Sequence, residues 1–314
     1  MEQFTASTTA KTAAPAAVFA RTRPRYGELL IRAALVAAAL LTVVTTIGIV
    51  LALATETLSF FGEISISEFL FGSHWSPLFN PPSYGVLPLV AGTLQITLIG
   101  LVVAIPLGIG SAIYLGEYAH QRTRKIVKPI LEILAGVPTI VFGFFALTVV
   151  TPFLQNVGFD IGVFNALSAG LVVGILVVPT IASVSEDALA AVPQGLREAS
   201  YGLGATKFQT STRVMVPAAL SGIIASVVLG ASRAIGETMV VLLASGAQPN
   251  LTWNVTEPIQ TMAAFIAATG KGDIPTGTID YKTIFAVGAL LFVMTFTLNM
   301  FSNAMVHRFR EEYE

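Results

Sequence analysis

The chain has 314 residues, 54% of them hydrophobic and only 11% charged, with a mean hydropathy of +0.78 and a net charge of −1. A soluble domain carries about 25% charged residues, so this is the composition of an integral membrane protein in a lipid bilayer, expected from the spans below to be all-α, and its near-neutrality gives no footing for nucleic acid. The absence of cysteine excludes disulfides, thiolate metal sites and cysteine nucleophiles, while His74, His120 and His307 show no ligand spacing, so neither metal nor cofactor is expected.

Residues 1–28 are rich in Ala, Thr and Arg without apolar periodicity, and read as a tail. Arg21, Arg23, Arg25 and Arg32 precede an apolar run over about 33–54. Ala52-Leu53-Ala54 has the form of a signal-peptidase site, but signal h-regions run to roughly 7–15 residues, and the run is longer. It is expected to be an uncleaved first span opening a six-span domain over 29–314. The stretch from Glu56 to Val86 is polar and aromatic, with Ser67 to Phe71 expected as a short amphipathic segment and Trp75 and Tyr84 as membrane-interface residues. The second span is expected over 87–115, where Gly92, Gly100, Gly108 and Gly110 suit close helix packing and Pro106 is tolerated. Glu117 to Lys128 reads as a basic loop, followed by a third span over 129–153, with Glu132 at its interface, and a fourth over 166–183.

A polar stretch, Glu198 to Pro217, comes next. Gln194 to Tyr201 suits a short helix, because Leu, Arg, Glu and Ala are good helix formers and Pro193 fits its first turn. Gly202 and Gly204 permit a left-handed turn, and Thr206 is placed to cap a second short helix. Two short helices joined at a glycine make a knob that a soluble partner can grip. The spacing resembles the EAA signature of ABC importer permeases: Glu198-Ala199-Ser200, three residues, Gly204-Ala205, and nine residues after Gly204 the run Val214-Met215-Val216-Pro217. Ser200 is the one departure. The resemblance implies that Glu198, Ala199, Gly204, Ala205 and Pro217 belong to a loop that docks on a separate ATPase subunit.

The fifth span is expected over 218–245, a possible amphipathic helix over 257–269 in the loop beyond it, and the sixth span over 283–306 before a charged end. Arg233 and Glu237, followed by Thr238, lie inside the fifth span, and their spacing of four places them on one helical face. Arg233 is sixteen residues past Pro217, about 24 Å of helix in a hydrocarbon core about 30 Å thick. A charge at that depth lines a cavity or is paired. Two readings follow: an anion path, or a structural Arg–Glu pair.

Counting basic residues orients the chain. Lys11, Arg21, Arg23, Arg25, Arg32, Arg122, Arg124, Lys125, Lys128, Arg197, Lys207, Arg213, Arg308 and Arg310 fall on one side, and only Lys271 and Lys282 on the other. The positive-inside rule then puts both termini and the 198–217 loop in the cytoplasm, with the protein multi-pass in the plasma membrane. A P-loop needs G-x4-G-K-[ST]; at Gly270-Lys271 the next residue is Gly272, and Phe265 stands where the first glycine belongs, so no ATPase site is expected in this chain.

Further segments sharpen the resemblance: Phe69-Leu70 with Trp75-Ser76-Pro77, Gly85-Val86-Leu87-Pro88 with Gly92-Thr93-Leu94, Ala112 to Tyr118, Leu134 to Pro138 with Phe142-Gly143-Phe144, and Arg233 to Thr238. Together they are similar to the PstC-type membrane subunit of phosphate importers. That implies a type I (MetI-like) importer permease, a path through Arg233, Glu237 and Thr238, a sister PstA-type subunit, PstB-type ATPases and an extracytoplasmic PstS-type binding protein. The alternatives are a PstA-type subunit, a permease for phosphonate, sulfate or molybdate, an ATP-independent anion channel, and a membrane scaffold.

Overall fold

In the computed structural model, residues 26–272 and 274–308 are described, and apart from one two-stranded ribbon every regular element is a helix. The chain divides after Leu51 into two units. Helix α1 (Tyr26–Phe61) runs through that division and starts just ahead of the expected span; the remainder of the expected tail and the last residues, 309–314, lie outside the described residues. Among the described residues five helical segments are long and apolar enough to cross a membrane: Leu30–Phe61, Leu87–Tyr118, Thr139–Asn156, Ala166–Ala190 and Ile279–Met305. Lys207–Ala218 and Leu220–Ile235, bent by 71° to one another, together have the length and composition of a sixth.

After α1 comes α2 (Ile66–Phe71), the expected amphipathic segment, capped by Ser65, whose hydroxyl accepts from the Glu68 amide at 3.2 Å. Strands β1 (Trp75–Ser76) and β2 (Ser83–Tyr84) pair antiparallel, Trp75 opposite Tyr84. These two aromatics are not interface residues. Trp75 is 4% exposed and Tyr84 5%, packed with Phe60, Phe69 and Phe265. The Trp75 and Phe265 rings meet edge to face at 4.9 Å. Enough apolar surface converges here that the rings are better buried on each other than left at the lipid headgroups.

Helix α3 (Leu87–Ile113) continues through a π turn, Tyr114–Tyr118. It packs along α7 (Ala166–Ala190), and the glycine spacing explains how closely. A Cβ added at Gly174 would lie 2.8 Å from the Gly100 carbonyl oxygen, so the backbones themselves are in contact. Buried Ile96, Val173, Leu176, Val177 and Ile181 fill the seam.

The third span departs from expectation. Residues 121–136 form a separate helix, α4 (Gln121–Gly136), none of whose residues is buried. The break is at Val137 and Pro138, both extended, because proline disfavours a helical residue before it. The crossing segment starts afterwards as α5 (Thr139–Phe145), a π turn over Ala146–Val150, and α6 (Thr151–Asn156). Helix α7 outlasts its expected end by a further stretch, since the polar residues Ser185 and Glu186 are buried and satisfied.

Helices α8 (Gln194–Gly202), α9 (Lys207–Thr210) with a π turn over Ser211–Met215, and α10 (Val216–Ala218) form the loop that precedes α11 (Leu220–Ile235). A Ser185–Ser226 hydroxyl contact of 2.7 Å joins α7 to α11. The fifth span is also broken: α12 (Met239–Ala244) is a separate helix. The expected amphipathic helix is instead a buried one, α13 (Met262–Gly270), with Met262 and Phe265 inside the aromatic cluster and Ala264 in the main core. The last helix, α14 (Ile279–Arg308), overruns the expected sixth span at both ends. Lys282 on α14 pairs with Glu63 at 2.6 Å.

Candidate functional site

The loop between α7 and α11 folds as two short helices around a glycine. Gly204 has φ +81°, a backbone conformation that L side chains rarely adopt. Its amide donates to the Tyr201 carbonyl at 2.9 Å, and the Ala205 amide donates to the Ser200 carbonyl at 3.2 Å. These are the two bonds of a Schellman motif, which closes α8 with a left-handed residue. Thr206 then starts α9 with a capping box: its hydroxyl accepts from the Gln209 amide at 3.3 Å, and Gln209 accepts from the Thr206 amide at 2.9 Å. Glu198, Ala199 and Gly204 are exposed, Ala205 is half-buried, and Pro217 is exposed at the turn into α11. Sequence reasoning missed the apolar tip. Leu203, at the end of α8, is 90% exposed, and Phe208, in α9, 68%.

The base of the knob is tied to the helices. Arg197 of α8 donates to Glu117 Oε1 at 2.6 Å, where the second span ends, and the Lys207 ammonium sits 5.1 Å from the Tyr118 ring centre. Ser200 and Thr210 share a hydroxyl contact of 2.9 Å inside the knob. Beneath, Met215 and Ala219 pack with Ala112 of α3, Leu189 of α7 and Ile223 of α11. A displacement of the knob therefore bears on three spans together. The Glu117–Arg197 tie has no short-range sequence signal, because the partners are 80 residues apart.

The intramembrane charges are not arranged as the spacing predicts. Helix α11 ends at Ile235, so Arg233 and Glu237 do not share a helical face, and no ion pair joins them among the described residues. Arg233 Nη1 instead donates to Thr180 Oγ1 of α7 at 2.8 Å. It lies in the last turn of α11, where the helix dipole favours a cation. Glu237 caps α12, accepting from the amides of Met239 at 3.1 Å and Val240 at 3.2 Å. Thr238 is the residue before α12, its hydroxyl donating to the Gly236 carbonyl at 3.1 Å. The reason for the departure is local: Gly236 and Thr238 interrupt the helix, and a carboxylate between them finds free amides ahead of it.

Beside Thr180 a cavity of about 300 Å³ opens between α4 and α7, lined among others by Lys128, Glu132, Pro179, Ser183 and Glu186. Glu186 is 2% exposed. Arg124 holds it through Nε at 3.0 Å and through Nη2, and Lys128 approaches the other oxygen at 3.4 Å. These contacts dock amphipathic α4 on α7 and explain how a carboxylate is buried there. Gln95 of α3 is 2% exposed, and among the described residues neither of its amide atoms has a partner, an uncommon cost inside a helix pair. Among the described residues no cluster of His, Asp and Glu is able to hold a metal ion.

The profile of the binding-protein-dependent transport system inner membrane components matches residues 104–311, two thirds of the chain. The chain belongs to that family. As a member of it, this is a multi-pass inner membrane permease subunit of an ABC transporter. It is 35% identical over 282 residues to the probable ABC transporter permease protein YqgH of Bacillus subtilis (strain 168), covering 89% of this chain and 91% of the relative. It is 32% identical over 262 residues to the phosphate transport system permease protein PstC of Xylella fastidiosa (strain 9a5c), covering 77% and 79%. Among solved structures, a chain of a bacterial alginate ABC transporter, crystallised with an alginate-pentasaccharide-bound periplasmic protein, superposes with TM-score 0.65 at 18% identity over 92% of this permease and 98% of that chain. At that identity the likeness concerns the fold, which is the importer permease fold expected from the loop spacing.

Proposed function

We propose that this permease is the membrane subunit of an ATP-driven inorganic phosphate importer, providing half of the path and taking its motion from a separate ATPase. The observation that carries the coupling half is the knob: a glycine-centred turn with Leu203 and Phe208 exposed at its tip and its base locked to three spans. Two large apolar side chains held out in water are a docking anchor, since buried aromatic and aliphatic residues supply most interface energy. The positive-inside count supports a cytoplasmic knob, with both termini on the same side.

The substrate half is supported by relatives named as phosphate transport system permease proteins, matched over most of both chains. Arg233 gives that reading its chemistry. It is a guanidinium in the expected fifth span that, among the described residues, meets no carboxylate and is held by one neutral hydroxyl, so its remaining donors are available to an oxyanion. Glu237 and Thr238 flank it at the helix break, and the capping role of Glu237 keeps that break in place. A channel for the same anion would run the wrong way, because moving a dianion inward opposes the potential by about 2.3 kcal/mol per charge per 100 mV. The complete machine on this reading comprises a PstA-type sister subunit, PstB-type ATPases and a PstS-type binding protein, with no ATPase site in this chain.

The test is co-purification followed by transport. The chain should bring down an ATPase and a second permease, and the reconstituted complex should take up labelled phosphate. A chain that carries no ATPase partner contradicts the proposal.

A further inference from the structure

Thr180 connects the intramembrane arginine to the neighbouring cavity, and its hydroxyl is only half used. Oγ1 accepts from Arg233, yet among the described residues it donates to nothing. Other threonines in spans donate to the carbonyl four residues back, as Thr148 does to Phe144 at 2.8 Å. Ser183 lies one turn further along α7, on the same face by its spacing of three, exposed and with no hydrogen bond to any described residue. Three residues on, Glu186 is held mainly by Arg124, leaving Lys128 at the looser distance of 3.4 Å. Thr180, Ser183 and Lys128 thus line one cavity, running for about 9 Å of helix axis from Arg233 toward the knob. Two unspent hydroxyl donors lie between two cations.

We propose that this cavity is a second anion station at the knob end of the path, where a protonated tetrahedral oxyanion coming from Arg233 meets the Thr180 and Ser183 hydroxyls and then Lys128; the inference rests on the Arg233 reading above. The volume of about 300 Å³ admits such an anion with part of its hydration, since a water takes ~30 Å³. Glu132 also lines the cavity. A carboxylate opposes a bare dianion but accepts a hydrogen bond from a protonated one. Hydroxyls and one loosely held ammonium bind weakly, which is what passage requires, because an ion must be able to leave each site.

The test measures labelled phosphate uptake and assembled complex for single changes in the whole transporter. Ser183→Ala is the decisive variant, because the hydroxyl makes no bond among the described residues, so its loss removes no contact seen in the chain. Uptake should fall about three- to five-fold, the scale of one neutral hydrogen bond. Lys128→Gln should fall about ten-fold, as expected for a charged donor, with Lys128→Arg retaining much of the activity. Thr180→Val should be impaired and Thr180→Ser should retain function. If Lys128 serves only as a counter-ion of Glu186, then adding Glu186→Gln to Lys128→Gln restores uptake, and that result overturns the station. Normal uptake by Ser183→Ala at normal assembly also overturns it. Arg233→Gln is run in parallel. Loss there with Ser183→Ala and Lys128→Gln both normal refutes the station alone, whereas normal uptake by Arg233→Gln refutes the underlying path reading as well.

Discussion

Arg233 reaches across from α11 to Thr180 on α7 at 2.8 Å, while Glu237, four residues on, faces the amides that open α12. The two charges therefore do separate work. Arg233→Gln is expected to abolish most uptake with assembly intact. Glu237→Gln keeps an acceptor oxygen for the Met239 and Val240 amides and loses only the charge, so it should cost about 0.3–1 kcal/mol in stability. Combining the two should leave uptake as low as Arg233→Gln alone. Had they formed a buried pair, removing both would relieve an unpaired charge and restore function. Uptake and complex abundance across the three variants distinguish these outcomes, and recovery in the double variant contradicts the account.

Gly204→Val should uncouple transport. A β-branched residue at φ +81° costs about 1–2 kcal/mol or more, and nothing within 4 Å obstructs the added Cβ, so the penalty is conformational rather than steric. The spans should insert normally while uptake falls. Normal uptake at normal membrane abundance removes the glycine turn from the mechanism.

Much of this was legible in the sequence, and the departures share a cause. The knob was readable because its signals are local: Gly202 and Gly204 permit a left-handed turn, and Thr206 is a cap residue for the helix after it. Spans were legible where apolar residues run unbroken, as in Leu87–Tyr118. Where a break or a burial depends on residues distant in sequence, the reading failed. The expected fourth span stops at residue 183, yet Arg124, 62 residues from Glu186, keeps that carboxylate buried inside a longer α7. Trp75 was assigned to the membrane interface because Phe265, its partner, lies far along the chain. The spacing of Arg233 and Glu237 implied a shared face only if the helix continued, and Gly236 ends it.

Leu203→Ser and Phe208→Ser should weaken ATPase binding without disturbing the permease fold. Both side chains are largely exposed, so their removal costs the isolated chain little. Interface anchors of this kind are worth about 2 kcal/mol or more each, roughly a thirty-fold loss of affinity. The ATPase retained on immobilised permease gives the measurement, and unchanged retention by both variants contradicts docking at the tip.

Tyr84 provides a pH-dependent check on the aromatic cluster. Burial, reinforced by Asp280, Glu63 and Glu68, pushes its phenol above the ordinary value of 10.0. The neutral form is favoured in the folded chain, so its stabilising share is complete below pH 10 and is lost as pH rises through the raised value. Alkaline unfolding in detergent should be less steep for Tyr84→Phe than for the natural chain above that pH. An identical alkaline profile for the two contradicts a buried, neutral phenol.

The most direct test of the whole account is ATP-dependent uptake in liposomes carrying the complete complex, with labelled phosphate offered against sulfate, molybdate and a phosphonate, and with the purified chain alone as the control. Phosphate should accumulate only when ATP, the ATPase subunits and the binding protein are all present, and the other anions should compete poorly. The chain alone should hydrolyse no ATP. Phosphate flux through the chain alone without ATP, or accumulation of another oxyanion in preference to phosphate, would contradict it.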